Sequence, residues 1–171
     1  MLTSIARYLN DSVAHDLMVN WLRTVPGLPP IIQTLHIVSI AAIMASIVFI
    51  DLRILGWALP KQNLREMQNR LLPWTWLALV LLALSGFVFV IARPLRYFSN
   101  PVFGWKMALL VAAIAVSLWG LRLLNAGNQN SERQQISLSV KLLAFTSLLL
   151  WISIIFAGRW IAYADYLFPP T

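Results

Sequence analysis

Polar residues interrupt this chain so rarely that four apolar runs stand out, at 31–50, 71–92, 102–121 and 142–162. A helix of roughly twenty mostly apolar residues is the length that crosses a bilayer core, where backbone polar groups must be paired within a helix or a closed barrel. With their flanks, the runs predict spans over 31–56, 71–93, 102–124 and 138–163 of one membrane domain, 1–171. The expected fold is all-α: an integral membrane four-helix bundle with an N-terminal interfacial amphipathic helix.

That helix is read over residues 2–25. Ile5, Leu9, Val13, Leu17 and Trp21 recur at four-residue spacing, with Arg7, Asn10, Asp11 and Asn20 elsewhere around the wheel. Pro26-Gly27-Leu28-Pro29-Pro30 ends it and turns the chain into the first span. The stripe fits a lipid interface, and a partner subunit could cover it instead. The first apolar run starts too late for a signal peptide, so the N-terminus is expected to be kept.

Composition acts by exclusion. The chain is 60% hydrophobic and 11% charged, with a mean hydropathy of +0.75, which leaves no soluble domain to house separate chemistry. A net charge of +7 would suit nucleic acid if the basic groups shared one surface. They are scattered at span ends instead, so they read as membrane anchors and no nucleic-acid partner is expected. The absence of cysteine excludes disulfides, thiolate metal sites and covalent haem attachment. With neither an HExxH helix nor a glycine-rich phosphate loop, hydrolytic and nucleotide chemistry are not expected.

Loop charges orient the bundle. Arg53, Lys61, Arg65, Arg70, Arg122, Arg133 and Lys141 lie on one side, against Arg7, Arg23, Arg93, Arg96, Lys106 and Arg159 on the other. Lys106 and Arg159 fall inside helical runs and count less, so the first side is read as cytoplasmic. Both termini are then expected in the periplasm of a bacterial inner membrane. Trp21, Tyr97, Trp105, Trp160, Tyr163 and Tyr166 mark one interface and Trp57, Trp74, Trp76 and Trp119 the other, with Trp151 alone in mid-span. Ala41 and Ala45, Ala108 and Ala112, and Ala113 and Ser117 are small pairs at the spacing that lets helices approach closely, and Ser85-Gly86 offers the second span a similar point.

The candidate chemistry gathers at two levels. His36, Lys106 and Arg159 lie about three to five residues inside their spans, within roughly 5–9 Å of one membrane face at about 1.5 Å per residue. They predict a basic pocket around one imidazole, walled by Trp105, Trp160 and Tyr163. Snorkelling of Lys106 and Arg159 is the competing reading, as is a structural hydrogen bond from His36 to Gln33 or a backbone carbonyl. At the other face Asp51 needs a partner, because Arg53 two residues on points the opposite way. Arg122 is the expected one, in a structural ion pair, with Lys141 next.

Leu35-His36-Ile37-Val38, the stretch from Asp51 through Leu52-Arg53-Ile54-Leu55 to Gly56, Asn100-Pro101-Val102-Phe103 with Lys106, and Gly158-Arg159-Trp160-Ile161-Ala162 together resemble an uncharacterised family of four-span bacterial inner-membrane proteins. The likeness covers most of the chain. More distantly the bundle is similar to the copper-resistance D protein and to b-type cytochrome membrane domains, where helix histidines hold haem or metal. That wider resemblance implies haem b as a cofactor, with His36 as its axial or metal ligand. The chain departs from it in having only His15 as a second imidazole, and Trp119 where related proteins carry histidine.

These observations lead to a non-enzymatic small subunit or scaffold with a lipid, quinone or haem pocket at the outer face. A single-haem b-type cytochrome passing electrons to a partner is the alternative. The expected partners are the lipid bilayer and a membrane-protein partner or second copy.

Overall fold

The structure, a computed structural model, describes residues 2–127 and 136–163. Arg133 and Tyr166, used above for topology and aromatic belts, lie outside the described residues. Seven α-helices follow one another without a strand among the described residues: α1 (Leu2–Asn10), α2 (Val13–Thr24), α3 (Leu28–Leu55), α4 (Leu64–Ala92), α5 (Pro94–Phe98), α6 (Pro101–Gly127) and α7 (Leu138–Trp160). Helices α3, α4, α6 and α7 are long and apolar enough to cross a membrane. The chain is therefore a multi-pass membrane protein.

Local chemistry sets the helix ends. Gly27 and Gly56 bracket α3 with φ near +80°, and the Gly56 N–H closes back on the Arg53 carbonyl while Trp57 N–H reaches Leu52. A left-handed residue there satisfies carbonyls that a helix end would leave open, and only glycine adopts it without strain. Asn63 caps α4 by accepting from the N–H of Arg65 at 2.9 Å. Pro94, which has no N–H to continue the ladder, follows the end of α4 and starts the short α5. Asn100 accepts from Val102 N–H to start α6, and its amide donates to the Ile161 carbonyl at 3.2 Å, tying the start of α6 to the end of α7.

The N-terminal helix expected to be continuous is broken. Asn10-Asp11-Ser12 offers side-chain groups that compete with the helix ladder. The Ser12 hydroxyl donates to Leu9 O at 2.6 Å and accepts from His15 N–H, ending α1 and capping α2 with one side chain. Helix α1 packs on α5 and α2 on the end of α4. Ile5, Val13, Leu17 and Trp21 remain exposed, so most of the apolar stripe faces away from the bundle.

Among the spans, α6 packs most extensively on α7 and α3 on α4, while α3 also packs on α7; α4 and α6 share no comparable contact. The core forms layers. Ile50, Ile54, Leu64, Met67, Leu124, Val140 and Ala144 fill the end near Asp51. Ile43, Ile47, Ala78, Ala113, Trp151 and Ile154 fill the middle. Val102 and Ala157 lie at the far end. Every tryptophan except Trp151 is exposed. Of the small pairs, only Ala113 and Ser117 enter the interior, whereas Ala41, Ala45, Ala108 and Ala112 face outward.

Candidate functional site

At the end where α3 and α6 begin, His36 reaches across to α4. Its Nδ1 stands 2.8 Å from Ser85 Oγ, and Ser85 is itself 2.7 Å from the Leu81 carbonyl. When the serine hydroxyl donates to Leu81 O, its oxygen accepts the His36 Nδ1–H, and Nε2 keeps a free lone pair. Gly86 leaves the imidazole room against the helix backbone: a Cβ there would stand 3.5 Å from His36 Cε1. Phe89, one turn beyond Ser85, packs edge-on at 5.7 Å between ring centres. The tether is thus Ser85, not Gln33 or a backbone carbonyl, because Gln33 lies on an exposed face of α3.

Lys106 is half-buried and lies along α7 at Gly158, where a Cβ would be 3.6 Å from both its Cε and its Nζ. Its ammonium is at the same end of the bundle as His36. Arg159 does not join them. It is exposed, donates from Nη2 to Tyr163 Oη at 3.2 Å and stacks over the same ring at 5.3 Å. Trp105 is 71% and Trp160 56% exposed, so both face the surroundings of the bundle and not a pocket. Of the six residues expected to form the pocket, His36 and Lys106 alone are laid against neighbouring helices at this end. The reason is rotational: residues adjacent in sequence on a helix point about 100° apart, so Lys106 and Trp105, or Gly158 and Arg159, cannot face the same neighbour.

His15 is occupied elsewhere. Its Nδ1 lies 2.9 Å from Ile91 O, one of the last carbonyls of α4 that the helix itself cannot pair. It works as a cap that holds α2 on the bundle. Among the described residues no group of three or more His, Asp or Glu side chains converges as a metal site.

At the opposite end Asp51 is 7% exposed and Arg122 is exposed. The expected ion pair between them does not form. Among the described residues only Arg70 and Glu66, on the surface of α4, approach as an ion pair, at 2.6 Å. Ser117, Leu121 and Leu124 follow one inward face of α6, and Arg122 is turned away from it. Asp51 faces Ser147 of α7 instead. Ser147 Oγ is 3.0 Å from Ser117 Oγ on α6, which accepts from Trp151 Nε1–H at 3.2 Å.

Ser117 stands out in the sequence only as a small packing residue, and Ser147 not at all. Serine is common in apolar helices, and the usable signal was the Ser147–Trp151 spacing of four residues, which puts a hydroxyl and an indole on one face. Trp151 itself is 4% exposed and packs in the bundle.

The chain matches the family of unknown function DUF6644 over residues 24–164. No curated protein and no solved structure matches it. The match begins after α1 and most of α2, so it covers the four spans and both polar levels.

Proposed function

Because the chain belongs to the DUF6644 family, whose function is unknown, we propose its role from its own side chains: a non-enzymatic membrane subunit that holds a lipid- or quinone-type amphiphile at the His36 end. The observation that carries this reading is that His36 on α3 and Lys106 on α6, at the same end of the bundle, are each laid against a glycine of a neighbouring helix. An ammonium below the interface is costly unless it meets acceptor oxygens, which a phosphate or quinone head provides. The imidazole, held through Nδ1, offers Nε2 as a second contact. The exposed pairs Ala41–Ala45 and Ala108–Ala112 are the surfaces such a subunit would offer to a membrane partner or second copy.

In this proposal the His36 end is the outer face of a bacterial inner membrane, both termini are periplasmic, and α1 and α2 lie along that surface with their exposed stripe in lipid. A terminal reporter active only in the cytoplasm would reverse the orientation.

The test is retention of ligand by detergent-purified protein. Extraction and mass spectrometry of wild type are expected to recover a bound lipid or quinone, which His36→Ala and Lys106→Gln lose while Arg159→Gln keeps it. Equal retention in all three variants would reject the site. A reduced-minus-oxidised b-type spectrum that disappears in His36→Ala would replace the amphiphile with haem and make the protein a single-haem cytochrome.

A further inference from the structure

The second polar level differs from the first in lying on a cavity. Between the end layer around Ile54 and Val140 and the middle layer around Ile43 and Ile154, all four spans line a part-open cavity of ≈ 60 Å³ that includes Asp51, Thr75, Ser117, Ser147 and Trp151 among apolar neighbours. At roughly 10–15 Å³ per water centre, such a space holds a few water-sized particles.

Two observations say what belongs in it. Asp51 Oδ2 is buried without any hydrogen-bond partner, and a buried polar atom left so is expensive. The hydroxyls, meanwhile, line up. Trp151 N–H can only donate, so Ser117 accepts from it. Ser117 is then free to donate to Ser147, whose hydroxyl lines the same cavity as Asp51. Burial by itself disfavours a bare carboxylate, so an ionised Asp51 needs compensation where it stands. No lysine or arginine among the described residues lies within ion-pair distance to neutralise it. A single charge in an apolar bundle needs a single opposite charge.

We infer that this chamber binds one small monovalent cation of the sodium class, with Asp51 Oδ2 as its anionic ligand and hydroxyl oxygens and water completing the shell. A divalent ion is disfavoured because it would leave net charge in the interior, and calcium-type sites draw on six to eight oxygens, several from carboxylates. The inference is independent of the amphiphile proposed at His36, which lies at the other end of the spans.

Thermal unfolding of the full-length protein in detergent tests it, with sodium chloride titrated against choline chloride at constant ionic strength. Wild type is expected to gain melting temperature with increasing sodium, as a ligand bound only to the folded state requires. Asp51→Asn, which keeps the shape and removes the charge, is expected to lose that dependence. Ser147→Ala is expected to shift the half-effect to several-fold higher sodium. Equilibrium binding of radiolabelled sodium should reach one ion per chain in wild type, which keeps the test open if Asp51→Asn does not fold. Identical melting in sodium and choline, or an undiminished sodium effect in a folded Asp51→Asn, would overturn the inference. So would stabilisation by acid alone with no sodium response, which would make the chamber a proton site.

Discussion

His36 and Asp51 lie on the same helix, four turns apart, and are handled in opposite ways. The His36 level is built from an imidazole and an ammonium near the ends of their helices, with a hydroxyl on α4 fixing one and a glycine on α7 seating the other. The Asp51 level is built from hydroxyls, an indole and one carboxylate with an unpaired oxygen, set between two apolar layers. The difference follows from reach. A lysine stem can carry its charge toward headgroups from below the interface, whereas an aspartate has one methylene and must be satisfied where it stands. The His36 level is suited to a ligand that arrives with its own tail in lipid. The Asp51 level has room for a few particles the size of water.

The comparison breaks most severely if the wall of the Asp51 level is removed. Trp151→Ala removes the indole that separates the chamber from the middle layer and deletes the donor to Ser117. The expected loss is about 3–5 kcal/mol of stability, read by denaturant or thermal unfolding in detergent. Trp151→Phe keeps most of the bulk and should cost about 1 kcal/mol, the value of the hydrogen bond alone. Equal losses for the two would mean that the indole hydrogen bond, lost in both, and not the bulk of the ring sets the stability.

A smaller effect is expected at the His36 level. His36→Ala breaks one interhelix hydrogen bond, and such bonds in membrane bundles average about 0.6 kcal/mol with a ceiling near ~1.7. Ser85 keeps its bond to Leu81, so no buried group is stranded. A loss above about 2 kcal/mol would show the imidazole to be as structural as Asp51. At the N-terminal attachment, Ser12→Ala removes the α2 cap and should cost about 1 kcal/mol. It should also speed hydrogen exchange in α2 while leaving α3 protected.

The smallest effect sharpens the picture of Asp51. Since Arg122 is turned out of the chamber, Arg122→Ala should change stability by less than about 0.5 kcal/mol, as surface substitutions do. Its double-mutant cycle with Asp51→Asn should give a coupling energy near zero. A coupling of about 1 kcal/mol or more would restore the ion pair that the sequence suggested.

Much of the candidate site was legible as depth and little as direction. His36, Lys106 and Asp51 were recognisable because an ionisable residue inside an apolar run is costly and therefore stands out. Arg159, Trp105 and Trp160 share the depth of His36 and were grouped with it, but their helices turn them outward. Arg122 failed as a partner of Asp51 for the same reason, and Ser147 was overlooked because a hydroxyl costs too little in a helix to attract notice. The break at Ser12 is written in Asn10-Asp11-Ser12, a good cap that the four-residue apolar stripe runs across.

By itself the sequence determined the number of long apolar helices, the glycine, proline and asparagine signals at their ends, and the outward position of seven of the eight tryptophans. These are local properties: apolar length, missing N–H groups, left-handed φ and interfacial amphipathicity all act within a few residues. Tertiary structure alone decided that α3 sits between α4 and α7, that His36 meets Ser85, and that Asp51 meets Ser147. In a soluble protein the apolar stripe would have announced which face turns inward. Here lipid and core are equally apolar, so the spans carry no such stripe, and helix rotation is set by the fit of small residues, hydroxyls and rings that only the packed bundle brings together.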